Sequence, residues 1–158
     1  MKTYVIVTTH ELALKGNNRP WFMRRLVDNL RVATKGTGVE RVWQGHMMVG
    51  LTLSDEDAWP EVRERVQDCF GVAKFFKSYT APPDLDEVKA ALPGLLEGRT
   101  FDSFRITANR ADKRFPVKSD QINRDMGAYV KDLTGARVDL THPDLHIHLD
   151  VQSKEILI

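Results

Sequence analysis

Cationic side chains are concentrated in one short segment of the 158-residue sequence, between Phe104 and Arg124. This segment contains six lysines and arginines but only two acidic residues, whereas the whole chain has a formal net charge of +1. A local positive charge in an otherwise balanced protein indicates an anionic partner and favours phosphate. The six basic residues are Arg105, Arg110, Lys113, Arg114, Lys118 and Arg124.

The elements predicted around this segment would hold several of its cations at the start of a helix. We predict that Ser119 caps this helix and that Asp120 suits the positive end of its dipole. The free amides of the first turn, together with Lys113, Arg114 and Lys118, would then form an anion site. The apolar pair 115–116 would anchor the loop against the body of the protein. The alternative is a solvated loop that carries ordinary surface lysines.

A second basic cluster lies where the first predicted strand turns into a helix. Lysine and arginine near a helix N-terminus oppose the helix dipole, so their presence there indicates a purpose other than stability. The alternative is a polar turn followed by a basic, exposed helix face. The cluster consists of Lys15, Asn17, Asn18, Arg19, Arg24 and Arg25.

The histidines are weaker candidates for chemistry. His146 and His148 alternate with apolar residues on one predicted strand and, with His142, resemble a metal-binding set. A metal site would also need a further ligand and a shaped pocket, so solvent-facing histidines are the favoured interpretation. His10 and Glu11 have no partner at a spacing that would support acid–base catalysis.

The sequence lacks the motifs of the main nucleotide-binding and metal-dependent enzymes. G-x-x-x-x-G-K-[ST], G-x-G-x-x-G and H-E-x-x-H are absent, as is the S-G-G-x-D-S loop that binds ATP pyrophosphate. The single cysteine, Cys69, excludes a disulfide framework and reads as a buried structural thiol. No stretch approaches the ~20 apolar residues of a membrane span, so we expect a cytoplasmic protein without a membrane partner.

The first half of the chain predicts a ferredoxin-like domain over residues 1–80. Its elements follow the order strand, helix, strand, strand, helix, strand. Asn18 is the predicted cap of the first helix, whose buried stripe is Phe22, Leu26, Leu30 and Ala33. The second helix, residues 59–70, is predicted to bury Val62, Val66, Cys69 and Phe70.

The second half predicts an α/β domain over residues 81–158, after a linker that contains a Pro-Pro pair. We predict a helix over 85–96 with a break near Pro93, a strand over 103–108 and a helix over 120–133. Further strands are predicted over 137–140, 145–152 and 155–158. Because an apolar strand begins in the last residues, we expect the chain to be part of a longer protein.

Three stretches of the sequence, in the right order, resemble a known family. Residues 10–30, HELALKGNNRPWFMRRLVDNL, resemble the opening of tRNA 4-thiouridine synthetases, the ThiI family, where G-E-[IL]-x-L-K-G-x-N-R leads into a helix. Residues 108–130 and 138–151 resemble the THUMP-domain signature, R-R-x-[DN]-K-x-F-P-x-x-S-x-[ED]-[IL]-N followed by V-[DN]-L-x-x-P-[DE]. His10 stands where the family usually has Gly, and Asn109 stands where it has the first Arg.

The resemblance implies a ferredoxin-like domain and a THUMP domain that together bind the acceptor stem and 3′ CCA end of tRNA. In the family, a separate pyrophosphatase-type domain uses ATP to adenylate a uridine, usually at position 8, before sulfur replaces its oxygen. We expect that domain to be missing here and to act in cis or in trans. The chain would then bind tRNA without catalysis, with no cofactor or metal of its own, and it could form a homodimer.

The resemblance also implies which residues contact RNA. Asp112 is expected to bond within its own loop, and Phe115 is expected to shape the loop or to stack on a terminal base. Two other functions are kept as alternatives, a small phosphate-ester or acyl-phosphate hydrolase on a ferredoxin-like fold and a dimerisation scaffold. The RNA-binding residues carried over are Lys15, Asn17, Arg19, Arg110, Lys113, Arg114, Lys118 and Asn123.

Overall fold

The computed structural model describes residues 1–10 and 16–158, in two compact units, Met1–Tyr79 and Thr80–Ile158. The predictions for Glu11 and Lys15 therefore lie outside the described residues. None of the helices in these two ranges is long and apolar enough to cross a membrane.

Unit 1 is a four-stranded antiparallel sheet with two helices packed against one face. The strand order is β2-β3-β1-β4, which is the arrangement of the ferredoxin-like fold that the sequence predicts. The elements are β1 (Thr3–Thr8), α1 (Arg19–Ala33), β2 (Val39–Gln44), β3 (Val49–Leu53), α2 (Trp59–Gln67) and residues 74–79 of β4 (Lys74–Ala81).

The core of unit 1 joins alternate residues of the strands to the inner faces of both helices. Leu26 and Leu30 of α1 are buried as predicted, but Met23 and Val27 complete the stripe, while Phe22 and Ala33 are only half-buried. The buried face is therefore rotated relative to the predicted one by about one residue.

The prediction that Phe70 belongs to the buried face of α2 is wrong. The helix ends at Gln67, and Phe70 is 82% exposed. The chain leaves the helix at Asp68 and reaches Gly71, whose φ of 97° lies in the left-handed region that favours glycine. Helical spacing no longer applies beyond Gln67, so Phe70 points away from the core.

The face of the sheet away from the helices carries an aromatic side chain packed over a glycine. A Cβ placed on Gly50 would overlap the Trp43 ring, so the ring can lie there only because position 50 has no side chain. Trp43 also contacts Tyr4 edge to face at 5.3 Å and donates its indole N–H to Thr52 Oγ1 at 3.2 Å. These contacts cover the middle of the sheet.

Unit 2 is a mixed sheet with two helices against one face. The order is residues 80–81 of β4, then β8-β7-β5-β6, with β5 parallel to both β6 and β7 and the other pairs antiparallel. This architecture confirms the predicted α/β fold class. The elements are α3 (Leu85–Leu96), β5 (Ser103–Arg110), α4 (Ser119–Thr134), β6 (Arg137–Val138), β7 (Leu145–Val151) and β8 (Ile156–Leu157).

The strict alternation of β5 and β7 divides the sheet of unit 2 into two different faces. Phe104 pairs with Leu145, and Ile106 pairs with Ile147, on the side where α3 and α4 form the core. Ile122, Met126 and Val130 of α4 fill that core. The other face carries polar residues, Arg105, Thr107, Asn109, His146, His148 and Asp150.

The predicted break near Pro93 is wrong, because α3 continues through it to Leu96. Proline has no N–H to donate to the carbonyl oxygen four residues earlier, which is that of Lys89. The hydroxyl group of Tyr129, on α4, donates to this oxygen at 3.0 Å. The neighbouring helix thus replaces the missing bond, and α3 stays intact.

Candidate nucleic-acid interface

The basic loop, residues 111–118, connects β5 to α4 and is tied to the sheet by its backbone. The amides of Ala111 and Asp112 both donate to the carbonyl oxygen of Val151, at 3.0 and 3.1 Å. The amide of Phe115 closes a turn onto the carbonyl oxygen of Asp112 at 3.3 Å. The backbone bonds to β7 therefore position the loop independently of its side chains.

Asp112 organises the loop from inside, as the sequence predicts. One of its carboxylate oxygens accepts from the backbone amide and the Nε of Arg114, both at 2.9 Å, and the other accepts from the guanidinium at 2.8 Å. These bonds lower the pKa of Asp112 to about 2 and raise that of Arg114. Arg114 remains 83% exposed, so its outer edge is open although its charge is paired.

Arg110 and Phe115 hold the loop against the body of unit 2. Arg110 donates to the carbonyl oxygen of Phe115 at 3.0 Å, while the buried Nε of Arg110 has no acceptor among the described residues. Phe115 is half-buried against the core, whereas Pro116 is exposed. The apolar anchor is thus the phenyl ring, and the guanidinium is half-buried behind it.

Lys113 and Lys118 are the exposed cations of the loop that no described carboxylate neutralises. Lys118, in extended conformation, occupies the N-cap of α4, and Ser119 is the first helical residue, so the predicted Ser119 cap is wrong by one position. No side chain caps the helix, and its first amides have no acceptor among the described residues. The free amides and the unpaired Lys118 therefore lie at the same end of the helix, and Lys113 is in the loop that leads to it.

Asn123 is predicted to contact RNA, but its side-chain oxygen accepts the Ala108 amide at 2.7 Å. β6 pairs only with Ser103 and Phe104 of β5, and Asn123 takes the place of a strand partner further along that edge. The same edge borders an open cleft of about 500 Å³, lined in part by Arg105, Arg124 and the exposed Leu140. Asn123 is half-buried in this cleft, and its side-chain oxygen is already bonded to the backbone of β5.

In unit 1, the predicted residues Asn17 and Arg19 are exposed at the start of α1. Asn17 lies in a single 3₁₀ turn, and Asn18 makes no side-chain cap bond, contrary to its predicted role. Trp21, which is not among the residues predicted to bind, is 59% exposed, and the Arg25 guanidinium lies 5.8 Å from its ring centre. An aromatic residue among arginines was the signal that could have identified it.

The histidines of β7 are exposed, as predicted. His146 and His148 stack with ring centres 3.9 Å apart, and His146 Nε2 lies 2.7 Å from Thr107 Oγ1. Within the described ranges, no three histidine, cysteine or acidic side chains are grouped closely enough to hold a metal ion. Desolvation and the nearby Arg105 lower the pKa of both imidazoles.

Two family models match the chain, one on each unit. Residues 4–75 match the ThiI ferredoxin-like domain, and residues 82–158 match the THUMP domain. Among curated proteins, a probable tRNA sulfurtransferase of Thermus thermophilus is 49% identical over 141 residues, or 89% of this chain and 34% of the relative. Its counterpart in Moorella thermoacetica is 35% identical over 98% of this chain and 39% of the relative. The chain thus spans between a third and two-fifths of these relatives.

Solved structures resemble the whole chain. A 4-thiouridine synthetase in complex with RNA and ATP superposes with a TM-score of 0.82 at 26% identity, covering 100% of this chain and 40% of that one. PH1313 from Pyrococcus horikoshii, at 23% identity, has the same fold, with a TM-score of 0.83 over 99% of this chain and 53% of that one. The two matching family models agree with the two folds predicted from the sequence. The chain therefore belongs to the ThiI family, of which it carries the ferredoxin-like and THUMP domains.

Proposed function

We propose that this chain is a tRNA-binding module that performs no catalysis itself. Its relatives are named as probable tRNA sulfurtransferases, and a structural neighbour was solved with RNA bound. The observation that carries the proposal is the rigid basic loop. Lys113 and Lys118 are exposed in this loop, and Lys118 adjoins the uncapped amides of α4. Lysine side chains and free amides bind phosphates, and phosphate contacts position RNA without reading its sequence.

The RNA element that we propose is the acceptor stem with its single-stranded 3′ end. The deep, narrow major groove of an RNA helix excludes side chains, so proteins bind its phosphates, its shape and its unpaired ends. Lys15, Asn17 and Arg19 are the proposed contacts from unit 1. Arg110, whose guanidinium bonds the loop, is proposed to position the cations beside it.

The chemical steps of thiouridine formation are assigned to a different domain. We propose that a pyrophosphatase-type domain, in cis or in trans, binds ATP and makes 4-thiouridine, while this chain binds the cytoplasmic tRNA without a cofactor. A homodimer is compatible with this division. The hydrolase alternative would need a nucleophile beside Asn17 and Arg19, which lie exposed at the start of α1.

Salt dependence of tRNA affinity tests the proposal. If the module contacts several phosphates, the logarithm of the binding constant should fall steeply with the logarithm of salt concentration, by about 0.7–0.9 per contact. Removing the 3′ single-stranded end should weaken binding further. A flat salt response, or equal affinity for the shortened tRNA, would contradict the proposal or its finer part, respectively.

Two lysine substitutions test the loop itself. Lys113→Ala combined with Lys118→Ala should reduce the salt slope by about 2 and leave the melting temperature unchanged, because neither lysine is paired with a described carboxylate. Lys131→Ala, at the other end of the same helix, is the matched control and should bind normally. Equal losses in both variants would indicate a diffuse charge effect and would refute a localised site.

A further inference from the structure

The helix-free face of the sheet in unit 2 carries a compact group of basic and polar side chains. This group is separate from the basic loop. Arg105 on β5 is paired in register with His146 on β7, and Thr107 is paired with His148. Parallel strands place side chains in register on the same face. The four side chains therefore form a two-by-two block, called here the histidine face, in which both imidazoles are exposed and Arg105 and Thr107 are half-buried.

The contacts within the histidine face fix the imidazoles in place. His146 and His148 stack at 3.9 Å with a 31° angle between their planes. His146 Nε2 lies 2.7 Å from Thr107 Oγ1, and a hydroxyl group can either donate to a neutral imidazole or accept from a protonated one. Protonation of His146 thus leaves this bond intact.

The charges around the pair are unbalanced in the positive direction. Desolvation first, and then the charge of Arg105, lower the pKa of both histidines, and no carboxylate in the described ranges raises either of them. Asp150, further along the same face of β7, has one carboxylate oxygen bonded to the Asn109 amide and the other to the Gln152 amide. In the loop after β6, Asp139 is likewise occupied by two backbone amides and Arg137.

We propose that Arg105, His146 and His148 form a second phosphate site, which binds an RNA phosphate with uptake of protons by the two imidazoles. Arg105 supplies the permanent charge, and an anion bound beside it would offset the repulsion between that guanidinium and the two imidazoles. This proposal rests on the proposed RNA-binding function and adds a pH-dependent contribution to it. RNA affinity should rise as the pH falls through the pKa that the imidazoles have in the complex.

The test is the affinity of the chain for an acceptor-stem RNA hairpin with a single-stranded 3′ end, measured at constant ionic strength. Between about pH 7.5 and pH 5.8, we expect affinity to rise about 3–10-fold, since each pKa raised by one unit is worth up to tenfold. His146→Gln with His148→Gln should abolish the rise, because glutamine keeps a hydrogen-bonding group without a titrating charge. His142→Gln, an exposed histidine outside the face, is the matched control.

The outcomes separate this proposal from the function on which it rests. If the double variant keeps the pH dependence of the wild type, the histidine face is not a phosphate site. If RNA does not bind at any pH, the proposed function fails, and the histidine face is then judged by proton NMR of the imidazoles with dimethyl phosphate. That phosphodiester should raise the pKa of His146 and His148 but not that of His142. Unchanged pKa values would overturn the proposal independently of RNA.

Discussion

The carbonyl oxygen of Lys89 in α3 accepts a hydrogen bond from the side chain of Tyr129 and not from its own helix. Pro93 cannot donate to it, and the Tyr129 hydroxyl does so at 3.0 Å. We therefore predict that Tyr129→Phe lowers the free energy of unfolding of unit 2 by about 1 kcal/mol, the net value of a typical hydrogen bond. The loss would reach ~3 kcal/mol if the carbonyl group were left without any partner.

A second background isolates this bond from the rest of the tyrosine ring. In a Pro93→Ala chain, the residue at position 93 regains an N–H that can donate to Lys89. Tyr129→Phe should then cost only a few tenths of a kcal/mol, so the cycle of four proteins should give a coupling free energy of about 1 kcal/mol.

Urea unfolding followed by far-UV circular dichroism measures each free energy. All three tryptophans, Trp21, Trp43 and Trp59, lie in unit 1, so their fluorescence follows that unit separately. An equal cost of Tyr129→Phe in both backgrounds, with a coupling below about 0.3 kcal/mol, would refute the idea that the hydroxyl group substitutes for the missing helical bond.

Three further substitutions probe packing and charge. Gly50→Ala should destabilise unit 1 by about 1–3 kcal/mol, because the new methyl group would overlap the Trp43 ring, whereas Gly127→Ala on α4, where a Cβ meets open space, should stabilise unit 2 by up to ~1 kcal/mol. Urea unfolding checks both, and a neutral Gly50→Ala would show that the ring moves aside freely. Asp112 has a pKa of about 2, so its stabilising effect is present above about pH 3.9 and is lost as the pH falls towards 2. Asp112→Asn should remove that part of the acid dependence of the melting temperature, and an unchanged acid dependence would show that the Arg114 contact contributes nothing.

Periodic patterns made the architecture predictable from the sequence. The alternation of residues 145–151 correctly separated a buried face from an exposed one, and the order of elements in unit 1 indicated its fold. Local chemistry also predicted that Asp112 would bond its own loop. Each of these features depends on neighbours in the sequence or on a simple period.

The errors arose where a distant part of the chain decides local structure. Pro93 reads as a helix breaker because nothing nearby in the sequence announces the hydroxyl group of Tyr129. The site was predictable as a charge cluster, but not in its division of labour. Which arginines are used internally depends on acceptors such as the Phe115 carbonyl group, which only the folded loop supplies.

The pairing of residues 80–81 with Ile156 and Leu157 has a consequence for synthesis on the ribosome. The first strand residues of unit 2 must wait for a partner that is translated only after residues 82–155, which take roughly 4–15 s to synthesise at about 5–20 residues per second. Unit 1 can meanwhile complete its own sheet, since β1, β3 and residues 74–79 have all emerged. The nascent chain should therefore carry a folded first unit while the edge of the second is still unpaired.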